Sequence, residues 1–169
     1  MTNKQFTAMR RILGRNFRTH SVYVWQDRYI LTDGTVSVVS STDFPGSDFE
    51  IGEQNEQAKN IYDAIMKEMK NGDYVRTQDD LASWRKVARK EEIIQIEGNT
   101  SDGEHIAGNF NTRLVVDAMD SIGTGSMLYI GKLHMISNLC GLIVLPKNYT
   151  GGETDFFGFV LPTRKQATI

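Results

Sequence analysis

With 169 residues, 40% of them hydrophobic and 24% charged, the chain has the make-up of one globular domain with a sizeable core. No run approaches the roughly 18 apolar residues of a membrane span, and "MTNKQFTAMRRILGR" lacks the apolar centre of a secretory leader, so a cytoplasmic protein is expected. The formal net charge of -2 conceals an asymmetry: residues 1 to 20 carry Lys4, Arg10, Arg11, Arg15 and Arg18 and no acid, +5 against -7 for the remainder. A basic segment on a mildly acidic body suits a polyanion.

In chain order, "TNKQFTAMRRILGR" predicts a helix capped by Thr2 or Asn3, with Phe6, Met9, Leu13 and Phe17 on one side. Lys4, Arg11, Arg15 and Arg18 fall within a narrow arc on the other. Strands follow at about 21–31 and 35–41, with a tight turn near Asp33-Gly34. After the loop "STDFPGSD" comes a helix over "GEQNEQAKNIYDAIMKEMKNGD", with Ala58, Ile61, Ile65 and Met69 on one face and a stop at Asn71-Gly72. A shorter helix starts from Thr77 or Asp79, turning Leu81, Trp84 and Ala88 inward and Arg85, Lys86, Arg89 and Lys90 outward.

"EIIQIE" and "IAGNF" predict strands around the loop "GNTSDGEH", and Asn111 caps a helix with Leu114, Val115, Ala118, Met119 and Ile122 on its apolar side. "SMLYIGKLHMISNLCGLIVLPK" and "GGETDFFGFVLPTRK" return to strands. Cys140, the one cysteine, lies in "NLCGLIVL" and reads as a buried small hydrophobe. In a cytoplasmic chain the "NTS" and "NYT" sequons are accidents of composition. The expected fold is α+β with mainly antiparallel pairing, in a single domain spanning 1–169.

Laid without gaps, "SVYVWQDRYILTDGTVSVVS" matches "SMLYIGKLHMISNLCGLIVL", with Trp25 over Ile130, Leu31 over Ile136 and Asp33 over Asn138. A capped, glycine-ended helix precedes each segment, which predicts a duplicated unit. Its period near 105 residues suits a pseudo-twofold domain better than a solenoid.

"NFNTRLVVDAMDSIG" followed by "SMLYIGKLHMISNLCGLIVLPK" resembles the helix and strands that close the domains of DNA sliding clamps. Phe110-Asn111 stands at the helix entry and Leu145-Pro146 at the end of the last strand. The first helix, the hairpin with "LTDG" and "SSTDF" are similar to the first half of such a domain. The resemblance covers 3–44 and 93–147, with a helical insertion at about 50–91. It implies two βαβββ-type units, helices toward a ring interior and sheets outside. A one-domain chain would need six copies to close a ring, a homo-oligomer, or would make none. The second inner helix offers Arg113 but also Asp117 and Asp120, a poor surface for phosphates.

The stripe Lys4, Arg11, Arg15 and Arg18 has two readings, a solvated helix face or a row of contacts to duplex DNA; phosphate contacts give affinity without sequence preference. Arg85, Lys86, Arg89 and Lys90 read as an exposed helix end. Val160, Leu161 and Pro162 stand where clamps border a groove for short apolar motifs of partner proteins; the alternative is an ordinary final strand. His20, His105 and His134 lack metal-ligand spacing, and "GTGS" follows a helix instead of opening one, as a phosphate loop must. No cofactor or metal is expected. The leading expectation is a DNA-associated, non-enzymatic accessory protein of replication or of a mobile element. The alternatives are a clamp-fold interaction module without a ring and an enzyme on an unrelated α+β fold.

Overall fold

A strand run such as "CGLIVL" has no polar side for solvent, so its sheet must be covered on both faces. The computed structural model describes residues 1–15, 22–44, 49–71, 73–77, 81–134, 139–151 and 154–163, and it meets that requirement. The protein is α+β. Its elements run α1 (Asn3–Gly14), β1 (Val22–Trp25), β2 (Arg28–Thr32), β3 (Val36–Ser40), α2 (Glu56–Asn71), β4 (Val75–Arg76), α3 (Leu81–Ala88), β5 (Ile93–Asn99), β6 (His105–Asn111), α4 (Thr112–Ile122), β7 (Met127–Lys132), β8 (Cys140–Leu145) and β9 (Phe156–Val160). A seven-stranded antiparallel sheet has the order β1-β2-β3-β9-β8-β7-β4, and β5 and β6 form a separate hairpin.

Side chains alternate across the sheet, as the period of two requires. Val36, Val38, Leu142, Val144 and Val160 join one core, closed by Met9 and Ile12 of α1, Trp84 of α3, Val115 and Met119 of α4, and Phe110 of the hairpin. Val39, Ile143, Leu145, Phe157 and Phe159 join the other, closed by Ala58 and Ile65 of α2. Three helix starts are fixed by local chemistry. Thr2 and Gln5 form a capping box at α1, Asn55 Oδ1 accepts from the Ala58 N–H at 2.9 Å, and Asn111 accepts from the N–H groups of Arg113 and Leu114.

The strand expected at 21–31 is two strands. Gln26 takes φ 53° between Trp25 and Arg28, the left-handed geometry of a two-residue hairpin, so the chain reverses there. The buried face of α1 centres on Ala8, Met9 and Ile12, with Phe6 and Leu13 at its flanks; Phe17 lies outside the described residues. The two-residue strand β4, paired with Ile130 and Tyr129, carries too little pattern to be expected.

The strand order is symmetric about the β3–β9 pair: α1-β1-β2-β3 on one side answers α4-β7-β8-β9 on the other, and α1 packs on α4. The gap-free overlay instead sets 36–40 on 141–145, which is β8. The two hairpins differ in length, because β1 and β2 are joined by residues 26–27 and β7 and β8 by 133–139. The turn expected at Ser137-Asn138 lies outside the described residues. At one sheet edge, β1 is covered by residues 50–52: the Val22 N–H donates to Glu50 O at 3.1 Å and the Gly52 N–H to Val22 O at 2.9 Å.

Truncating the fully buried Phe157 to alanine is expected to lower unfolding free energy by about 3–5 kcal/mol, measured from the urea midpoint. Burial pushes the Cys140 thiol above its ordinary 9.0 and outweighs a backbone hydrogen bond from Ala107 that lowers it. The folded state therefore favours the neutral thiol, a contribution present below pH 9 and lost as pH rises toward the raised value. A thiol reagent at neutral pH should label Cys140 only as fast as the chain opens; immediate labelling of the native protein would contradict this burial.

Candidate nucleic-acid interface

The helix pair α1–α4 is held first at its end. Gln5 Nε2 donates to the Ile122 carbonyl at 2.9 Å and to Ser121 at 3.3 Å, satisfying carbonyls that the last turn of α4 leaves free. From that anchor the two helices run antiparallel, so the cations of α1 pass along α4. Arg11 Nε donates to Asp117 Oδ1 at 2.6 Å and Arg11 Nη2 to Asp120 Oδ2 at 3.4 Å. Arg15 Nη1 donates to Asp117 Oδ2 at 2.7 Å and its Nε to Asp33 Oδ2 at 2.8 Å. Arg85 of α3 donates to Asp120 through Nη2, and Lys4 Nζ stands 3.8 Å from the same carboxylate.

The acids and cations differ sharply in exposure. The Asp117 and Asp120 side chains are 7% and 4% exposed, whereas those of Lys4, Arg11, Arg15 and Arg85 range from 35% to 56%. The carboxylates form a buried floor and the cationic heads stand above it. Lys4, Arg11, Arg15, Arg85 and Arg113 line one open concavity with these two aspartates. Arg113 is exposed and makes no ion pair among the described residues. Of the expected stripe, the structure therefore gathers Lys4, Arg11 and Arg15; Arg18 lies outside the described residues.

Arg15 is the most enclosed of the set. Burial works against its charge, but hydrogen bonds and attraction to Asp33 and Asp117 outweigh that and raise its pKa. Its Nη2 is buried without a hydrogen-bond partner among the described residues. Asp33 links the site to the sheet, since Oδ1 also accepts from the N–H groups of Thr35 at 2.8 Å and Val36 at 2.7 Å in the β2–β3 turn.

Three contributors were missed in the sequence. Arg85 reads there as a solvated helix end, yet it reaches Asp120 from a third helix. Asp117 and Asp120 read as repulsive to phosphate, yet they face the basic arc of α1. The usable signal was complementary: a helix with no acid, and a second whose only acids fall three residues apart on one side.

On the sheet face covered by α2, a recess of about 210 Å³ is lined chiefly by Ile61, Ile65, Leu133, Phe159 and Leu161. Of the expected groove residues, Leu161 lines it, Pro162 is half-buried, and Val160 is fully buried in the core on the opposite face. Among the described residues no three His, Cys, Asp or Glu side chains are placed to hold a metal ion, and no helix is long and apolar enough to cross a membrane. No family model, curated protein or solved structure matches the chain.

Replacing Arg15 with methionine would leave two nearly buried carboxylates, Asp33 and Asp117, with one cation fewer. A fully buried pair broken this way loses about 3–5 kcal/mol, and solvent access to the guanidinium reduces the expectation here to about 1–3 kcal/mol. Chemical denaturation measures it, and a loss below about 0.5 kcal/mol would mean that the network does not stabilise the fold.

Proposed function

We propose that the protein acts by binding, as a clamp-like accessory protein of replication or of a mobile element, holding the phosphate backbone of duplex DNA against α1, α3 and α4. The observation that carries this reading is the concavity itself, in which five cationic side chains surround two carboxylates that lie beneath them. The spread of the cations favours a polymer over a single anion. From Lys4 to Arg15 the helix advances about 16 Å at 1.5 Å per residue, while one DNA strand places a phosphate about every 3.4 Å along the axis. Arginine and lysine heads without base-reading partners suit a non-specific grip.

Exposed Lys4 and Arg113 can be neutralised with little effect on packing. In the K4Q/R113Q variant, duplex affinity should fall, and the slope of log K against log salt should shrink by about 1.8, two phosphate contacts. A variant that binds duplex DNA with the wild-type slope would place the interface elsewhere.

A second reading is favoured by the α2 recess, whose apolar lining includes Leu161. Under it, the chain is an interaction module that receives a short apolar motif of a replication protein, without forming a ring.

A further inference from the structure

Asp117 and Asp120 sit where a phosphate-binding surface should be least tolerant of acids, and they are the most buried charged groups in it. We infer that these two carboxylates are positioning residues for the proposed DNA contact: they hold the guanidiniums of Arg11 and Arg85 ready for phosphate and do not themselves oppose it. This inference rests on the proposed function and deepens it.

A guanidinium has five N–H donors in a fixed fork. Arg11 directs Nε at Asp117 and Nη2 at Asp120, so its second amino group, Nη1, has no partner among the described residues. Among the described residues Arg85 meets Asp120 through Nη2 alone. Donors therefore remain on both side chains, which are 45% and 38% exposed. A free arginine or lysine samples many rotamers and loses that freedom on binding. Here the aspartates fix the stems beforehand, so less is lost when phosphate arrives.

Depth settles the sign of the charge effect. The carboxylates lie beneath the cations at 7% and 4% exposure, and each is already met by at least two of them. A phosphate approaching from solvent meets guanidinium donors before it meets a carboxylate. Asp117 also belongs to α4's own frame, because its backbone carbonyl accepts from Ser121 Oγ at 2.7 Å. The floor is therefore anchored to the helix that carries it.

The discriminating variant is Asp120→Asn in the full chain, with duplex DNA as the probe and far-ultraviolet circular dichroism to confirm folding. The substitution makes the surface more positive, so simple charge counting predicts tighter binding. Positioning predicts the reverse: binding weaker by about tenfold, and a salt slope lower by about 0.9–1.8 as one or two ordered phosphate contacts are lost. Should D120N fail to fold, Arg11→Lys serves instead. It keeps the charge but cannot span both aspartates, and it should weaken binding several-fold with a reduced slope. Either folded variant binding as tightly as wild type, with an unchanged slope, overturns the positioning role while leaving the DNA reading intact. A wild-type chain that binds no duplex at low salt overturns both.

Discussion

A carboxylate can be buried only beside fixed cations or donors, because isolated charge in a low-dielectric interior is prohibitive. The helix α4 buries two, Asp117 and Asp120, on a segment of which Thr112, Val115, Ala118, Met119, Ser121 and Ile122 are also buried. That helix cannot pack alone. It needs the acid-free helix α1 alongside, antiparallel and in register, and it needs Arg85 from α3. The three helices are thereby tied on one side of the sheet, and Arg15 extends the tie to the β2–β3 turn through Asp33.

The rest of the molecule serves that arrangement. The sheet is apolar on both faces, so α2 covers the far side with Ala58 and Ile65 while the ion-pair helices occupy the near side. The strand order mirrors about β3 and β9, which places α1 and α4 as neighbours over the middle of the sheet. The β1 edge is occupied by residues 50–52, so the sheet does not end there in a bare row of backbone donors. The concavity thus rests on a braced platform, which suits a surface that must present charge in a fixed arrangement.

Much of the fold could be read along the chain because its signals are local. Caps and period-3.6 patterns locate α1, α2 and α4, and apolar runs ending at turns locate most strands. What escaped detection depends on distant residues. A two-residue β4 has no period, and its existence rests on pairing with Ile130 and Tyr129. Gln26-Asp27 reads as a polar turn signal within one strand at 21–31, and the pairing of β1 with β2 shows that the chain reverses there, with Gln26 at positive φ. In the candidate site, the basic arc of α1 was legible as a stripe. Its partners were not, because amphipathic logic assigns Asp117 and Asp120 to solvent, and only the neighbouring helices show that their side is the enclosed one. The same blindness applied to Arg85, whose role appears only when α3 is set against α4.

The claim on which everything else turns is that this buried acidic floor presents arginines to phosphate. The most direct measurement is a nuclear magnetic resonance titration of the protein, labelled at its arginine side chains and backbone, with a short duplex of arbitrary sequence at low salt. The account predicts that the Nε signals of Arg11, Arg85 and Arg113 move together with duplex concentration, while the backbone signals of α2 and Leu161 stay in place. Movement confined to α2, Leu133 and Leu161, with the guanidinium signals unchanged, would contradict it.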